Sequence, residues 1–198
     1  MSPLRFTRVD DDRVSLSGID AVTAACLREV PKILERAKDA PIRERLFLDP
    51  VRGDDRFNED WRETIVPEIE HLFASAGETL AKDIAPLAKF RGALSFRQLV
   101  FPSSHVEAWL RALNLARIIL GTTAKVTEED YRTVEFADPK DKKQRAMFRL
   151  HYLTNTVGYL IDFLSQGPEE AGTDESVEET DEPPPSDTSE KDDRGGEI

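Results

Sequence analysis

One segment limits the possible folds more than any other. From Ser104 to Leu120 the chain reads SHVEAWLRALNLARIIL, and at about 100° per residue its apolar side chains cover almost the whole helical circumference. Val106, Trp109, Leu110, Leu113, Ala116 and Leu120 form one arc, and Ala108, Ala112, Leu115 and Ile119 form a second. Only Glu107, Arg111 and Asn114 make a narrow polar strip. Such a helix is stable in water only when other elements surround it, so the segment predicts a helical bundle with 104–120 at its centre. Ser104 and Glu107 fit a capping box, and Gly121 suits the position after the last turn.

The flanking sequence supplies the surrounding elements. Arg5–Val9 and Arg13–Leu16 alternate polar and apolar residues around Asp10-Asp11-Asp12, which reads as a small N-terminal β-hairpin. Residues 94–101 alternate as well and read as a strand that would pair with it. Helical spacing begins near Asp20 and runs through Val22, Leu27, Val30 and Leu34, with Pro31 expected to kink or split the helix. Two prolines and a glycine between Ala40 and Arg56 suggest an ordered loop with a short turn. Asn58 is placed to cap a further helix carrying Trp61, Ile65, Ile69, Leu72 and Phe73, with an interruption expected at Pro67. Thr127 and Asp130 offer another cap. A last helix runs from near Pro139 to Leu164, striped by Leu150, Leu153, Val157, Leu160, Ile161 and Leu164 and flanked by Phe148, Tyr152, Tyr159 and Phe163.

Charge divides the chain. Of 39 acidic and 27 basic residues, thirteen acidic and two basic ones lie from Pro168 onward, so that segment carries −11 of the net −12. With almost no large apolar residue it is expected to be a disordered acidic tail over 167–198, leaving a near-neutral helical domain over 1–166. Cys26 is the single cysteine, so no internal disulfide can form, which suits a reducing compartment. The N-terminus shows no signal-peptide pattern, and no stretch approaches the ~20 apolar residues of a membrane span. A cytoplasmic protein with no membrane association is the expectation.

Chemistry is sparse. His71, His105 and His151 fall on three elements without metal-ligand spacing, and no CxxC, phosphate-binding glycine loop or nucleophile elbow occurs. Cys26 reads as a buried small hydrophobe. Neither catalytic residues nor a cofactor is expected. Two features carry an alternative. Arg117 projects into the apolar arc of the central helix; it either snorkels or pairs with a carboxylate of a neighbouring helix, or it binds an anion in a cleft. An internal Asp or Glu partner would exclude the anion. On the last helix His151, Asn155 and Asp162 share a face, which reads either as solvated surface or as a polar ligand contact. Basic residues gather at Arg36, Lys38, Arg43 and Arg45 and at Lys140, Lys142, Lys143, Arg145 and Arg149, but the near-neutral domain argues against nucleic-acid binding. The acidic tail either solubilises the chain or competes for these patches.

Glu107-Ala-Trp-Leu-Arg-Ala-Leu-Asn114, Leu120-Gly-Thr122 and Thr127-Glu-Glu-Asp130 resemble a bacterial family catalogued as a domain of unknown function. Its members are often encoded beside the ClpS-type adaptor of the Clp protease, and an actinobacterial branch comprises AosR-like oxidative-stress regulators. Arg5-Phe-Thr-Arg8, Asn58-Glu-Asp-Trp-Arg62 and Glu70-His-Leu-Phe73 are similar too, so the resemblance spans most of Leu4 to Leu164. These are packing motifs. The resemblance implies a small helical regulatory or interaction protein linked to stress response, transcription or Clp-type proteolysis, without catalytic residues. Sensing oxidation through an internal disulfide needs two cysteines, and this chain has one. The expectation is therefore a non-enzymatic protein acting on another protein, with a small-molecule or anion-binding enzyme-like domain and a DNA-associated regulator as the alternatives.

Overall fold

The computed structural model describes residues 4–89, 97–133 and 141–166. The fold is mainly α with a small three-stranded antiparallel sheet. The expected tail and Lys140 lie outside the described residues, as do residues 94–96 of the expected third strand.

Strands β1 (Arg5–Arg8), β2 (Arg13–Ile19) and β3 (Arg97–Pro102) lie in the order β1-β2-β3. Phe6 pairs with Leu16, Val14 with Phe101, and Leu16 with Leu99, which puts these side chains on the face turned to the helices. The register breaks between Leu16 and Ile19, where Gly18 takes a φ of +74° that side-chain-bearing residues rarely adopt.

Helix α1 (Ala21–Leu34) starts at Asp20, whose carboxylate accepts from the Thr23 N–H at 2.7 Å. It runs unbroken through Pro31; the expected split does not occur, and the helix ends one residue-turn later at Leu34 in a short 3-10 segment. The 40–56 stretch is more ordered than expected. Pro41 occupies the first turn of α2 (Ala40–Leu46), where its missing N–H costs nothing, and buried Ile42 anchors this short helix. Asn58 is no cap. Asp54 caps α3 (Asp55–Asp60), while Asn58 is buried within it, its amide donating to the Val51 carbonyl at 2.7 Å and its carbonyl accepting from the Val51 N–H at 3.2 Å. The side chain thus pins the preceding loop. The interruption expected at Pro67 comes just before it, as a wide π-type turn over Trp61–Ile65, and Pro67 sits in the first turn of α4 (Val66–Ile84).

The central helix is α5 (Val106–Ala124), packed against α1, α4 and α7. Both of its boundaries differ from expectation. Ser104 and Glu107 form no capping box, because Ser103–His105 make a 3-10 turn tied to the hairpin: Ser103 donates its N–H to the Asp12 carbonyl at 2.7 Å and its hydroxyl to the Asp11 carbonyl at 3.2 Å. At the other end Gly121 lies inside the helix, which continues one turn to a left-handed Lys125 (φ 50°). Helix α6 (Glu128–Thr133) does use Thr127 and Asp130 reciprocally as its cap. Helix α7 (Lys142–Ser165) is capped by Asp141, whose carboxylate accepts from the Gln144 N–H at 2.8 Å; Pro139 lies outside the described residues. Leu150, Leu153, Val157 and Leu160 are buried as expected, but Ile161 and Leu164 at the end of the stripe are about half exposed.

Trp109 is the centre of the core. Wholly buried, it stacks on Phe101 with ring centroids 4.6 Å apart and receives the edge of Phe6 at 6.2 Å. Its indole N–H donates to Asp83 Oδ2 at 2.8 Å, and the same carboxylate meets His105 Nδ1 at 3.0 Å. Asp83 on α4 thereby joins two groups from the start of α5.

Candidate functional site

Two cavities flank α2. The larger, about 770 Å³, is a groove between the end of α1, α2 and α4. Leu34, Phe47, Phe73 and Leu115 line it apolarly, and Ala74, Gly77 and Ala81 on α4 keep that wall low. The Leu34 methyl lies 3.0 Å from where a Gly77 side chain would begin. Along the rim Arg43 is paired with Glu70, whereas Glu35 on one wall and Glu78 on the other have no ion pair among the described residues.

The smaller cavity, about 510 Å³, is a cleft at the end of α5, lined by Arg45 from α2, Asn114, Arg117, Ile118, Thr122, Lys125 and Val126, and Leu150 from α7. Arg117 donates from Nη1 to Asn114 Oδ1 at 2.8 Å, one turn back on the same helix. No described carboxylate pairs with it, so the ion-pair reading of this residue does not hold. Its Nε is buried without a partner, as is the Thr122 hydroxyl.

The other sequence-derived candidates are not gathered there. His151 Nε2 and Asn155 Nδ2 meet at 3.1 Å on the outer face of α7, His151 also touching the Tyr152 ring edge-on. Asp162 is exposed two turns further on. The basic stretches are largely mixed-charge surface: Arg36 pairs with Asp39 at 3.1 Å, Lys143 with Asp130 at 2.6 Å, and Arg149 with Glu29 at 2.6 Å. The Lys143 ammonium, helped by Thr127, holds the Asp130 carboxyl down at about 2. Among the described residues no cluster of three or more His, Cys, Asp or Glu is arranged to hold a metal, and no helix is long and apolar enough to cross a membrane.

Cys26 is buried, as its apolar neighbours implied, and burial, reinforced by nearby Glu29, pushes its thiol up to about 11. At pH 8 only about one native molecule in a thousand then carries the thiolate. Ellman's reagent is expected to label the native chain at least a hundredfold more slowly than the guanidinium-unfolded chain, about two orders of magnitude following from thiolate fraction and access together. Equal rates would mean that the residue is not enclosed.

Sequence reasoning placed Arg45 only in a basic stretch, and it missed Lys125 and the Asp83–His105–Trp109 network. A buried tryptophan needs an acceptor for its N–H, but nothing in the spacing names Asp83, 26 residues away. No curated protein and no solved structure matches the chain. A family model does, over residues 8–166, from β1 through the end of α7. The chain therefore belongs to the family described as domain of unknown function DUF2017.

Proposed function

We propose that this protein is a non-catalytic regulatory protein that receives an amphipathic helix of another protein in the groove between α1, α2 and α4. The observation that carries the reading is the groove itself: about 770 Å³, apolar along its length, with charged groups confined to its rim. Helix-in-groove recognition uses such a surface, an apolar stripe entering the channel and polar residues meeting its edges. The small residues Ala74 and Ala81 let an incoming backbone approach α4, while the space over Gly77 is taken by the Leu34 methyl. Glu35 and Glu78, lacking described cationic partners on opposite walls, favour a helix flanked by Lys or Arg. The partner's own role fixes whether the regulation concerns transcription under stress, as in the AosR-like branch, or Clp-type proteolysis.

The test compares full-length proteins as baits in host lysate. Exposed Ala74 can be replaced by tryptophan to fill the groove without entering the core. A partner retained by the unmodified chain is expected to be lost with Ala74→Trp and to weaken about tenfold with Glu78→Lys, roughly the worth of one well-placed charge contact. Equal recovery on the unmodified and Ala74→Trp chains would overturn the groove as the docking site.

A further inference from the structure

We infer that the cleft at the end of α5 is a binding site for a small organic anion, a phosphate- or carboxylate-bearing molecule with an apolar or sugar-sized body. Three independent features point to it. Arg45, Arg117 and Lys125 come from two elements and meet around one cavity whose lining contains no carboxylate. Among the described residues none of the three is neutralised by an ion pair. Two residues of the lining also carry buried polar atoms without a described partner, Nε of Arg117 and the hydroxyl of Thr122. An arginine side chain has five N–H donors and no acceptor, so the deficit at Arg117 is a deficit of acceptors. The guanidinium is held by Asn114 at Nη1, and no described residue accepts from its other terminal nitrogen, which can donate to a carboxylate or phosphate oxygen.

The helix terminus opposes this reading and has to be weighed. An α-helix C-terminus carries roughly half a negative charge, which attracts cations and repels anions. By itself that would explain Lys125. Here the last carbonyls are already engaged: the Lys125 N–H donates to the Thr122 carbonyl at 3.2 Å and the Val126 N–H to the Gly121 carbonyl at 3.0 Å. Three full positive charges outweigh a partly satisfied half charge, and Arg45 belongs to α2, not to α5. The cavity's size and its Ile118, Val126 and Leu150 walls select an anion with a body rather than an inorganic ion alone.

The experiment is calorimetric titration of the full-length chain with glucose 6-phosphate and, separately, with citrate, at about 0.01 M ionic strength, where charge screening extends over about 30 Å. Saturable one-to-one binding of at least one probe is expected, and the preferred probe distinguishes a phosphate from a carboxylate source. Arg117→Met and Arg45→Glu should each weaken it by about tenfold or more, the usual worth of a charge-assisted hydrogen bond. Lys38→Ala, on the other groove, should leave it unchanged. Arg45 is exposed, so its variant stays folded even if Arg117→Met perturbs α5. Lys125→Gly provides a second separation: glycine relieves the left-handed backbone at φ 50°, so the melting temperature should hold or rise while affinity falls. Absence of saturable binding by either probe overturns the inference, as does equal loss with Lys38→Ala. Tighter, Arg45-dependent binding of a short DNA duplex overturns it too, by making the cleft part of a nucleic-acid surface.

Discussion

Replacing Trp109 by alanine is expected to cost about 3–5 kcal/mol, enough to leave a domain of ordinary stability largely unfolded at 37 °C. The residue is wholly buried, so the loss is a cavity rather than a surface change. Its neighbours are poorly able to collapse into that cavity. Phe101 stacks on the indole from β3 with planes 7° apart, Phe6 reaches it from β1, and both strands are held in register by β2. Filling the void would require the sheet to move toward α5. Urea unfolding followed by circular dichroism should show a large fall in midpoint at an unchanged slope. A cost below about 1 kcal/mol would mean that the sheet and helices do not share this core.

Asp83→Ala should cost about 2–4 kcal/mol by a different route. Nothing large is removed; instead a fully buried indole N–H loses its acceptor, and the His105 ring loses the carboxylate at 3.0 Å that orients it. The carboxylate itself is nearly enclosed, with 8% of its side chain exposed. Asp83→Asn, which keeps an acceptor, should recover part of the loss. Trp109→Phe removes the donor while retaining most of the ring. Combined with Asp83→Ala it should cost less than the sum of the two single changes, because the orphaned group has gone. Strict additivity would show that the 2.8 Å bond contributes nothing.

The parts of the fold that were legible share a property: each was announced by a single local pattern strong enough to survive its surroundings. The all-round apolar segment had to be central, and the alternating residues about the three aspartates had to turn back on themselves. Failures arose where a tertiary contact outbid a local signal. Asn58 has the chemistry of a cap, yet its amide bonds both backbone groups of Val51 and holds a loop instead. Ser104 and Glu107 have capping-box spacing, but the hairpin turn claims the preceding serine and forces a 3-10 entry. Ile161 and Leu164 continue the helical stripe in sequence but lie about half exposed, while Leu160 and Phe163 beside them turn to the core. Two prolines concealed α2, although one of them favours a helix's first turn. Arg117 stood out because a charge in an apolar arc demands an explanation. Its companions could not, since Arg45 lies 72 positions away and Lys125 enters only because the helix overruns Gly121 by a turn.

The first strand and the last helix finish at the same pole: Phe6 and Phe163 have ring centroids 6.3 Å apart. The end of α7 therefore lies beside the sheet, while the cationic cleft opens at the far end of α5. Leu150, in the cleft wall, lies sixteen residues back along α7, roughly 24 Å at 1.5 Å per residue. A fluorophore attached at Gln166 would therefore sit about 24 Å along α7 from the cleft wall and leave the occupancy of the cleft undisturbed.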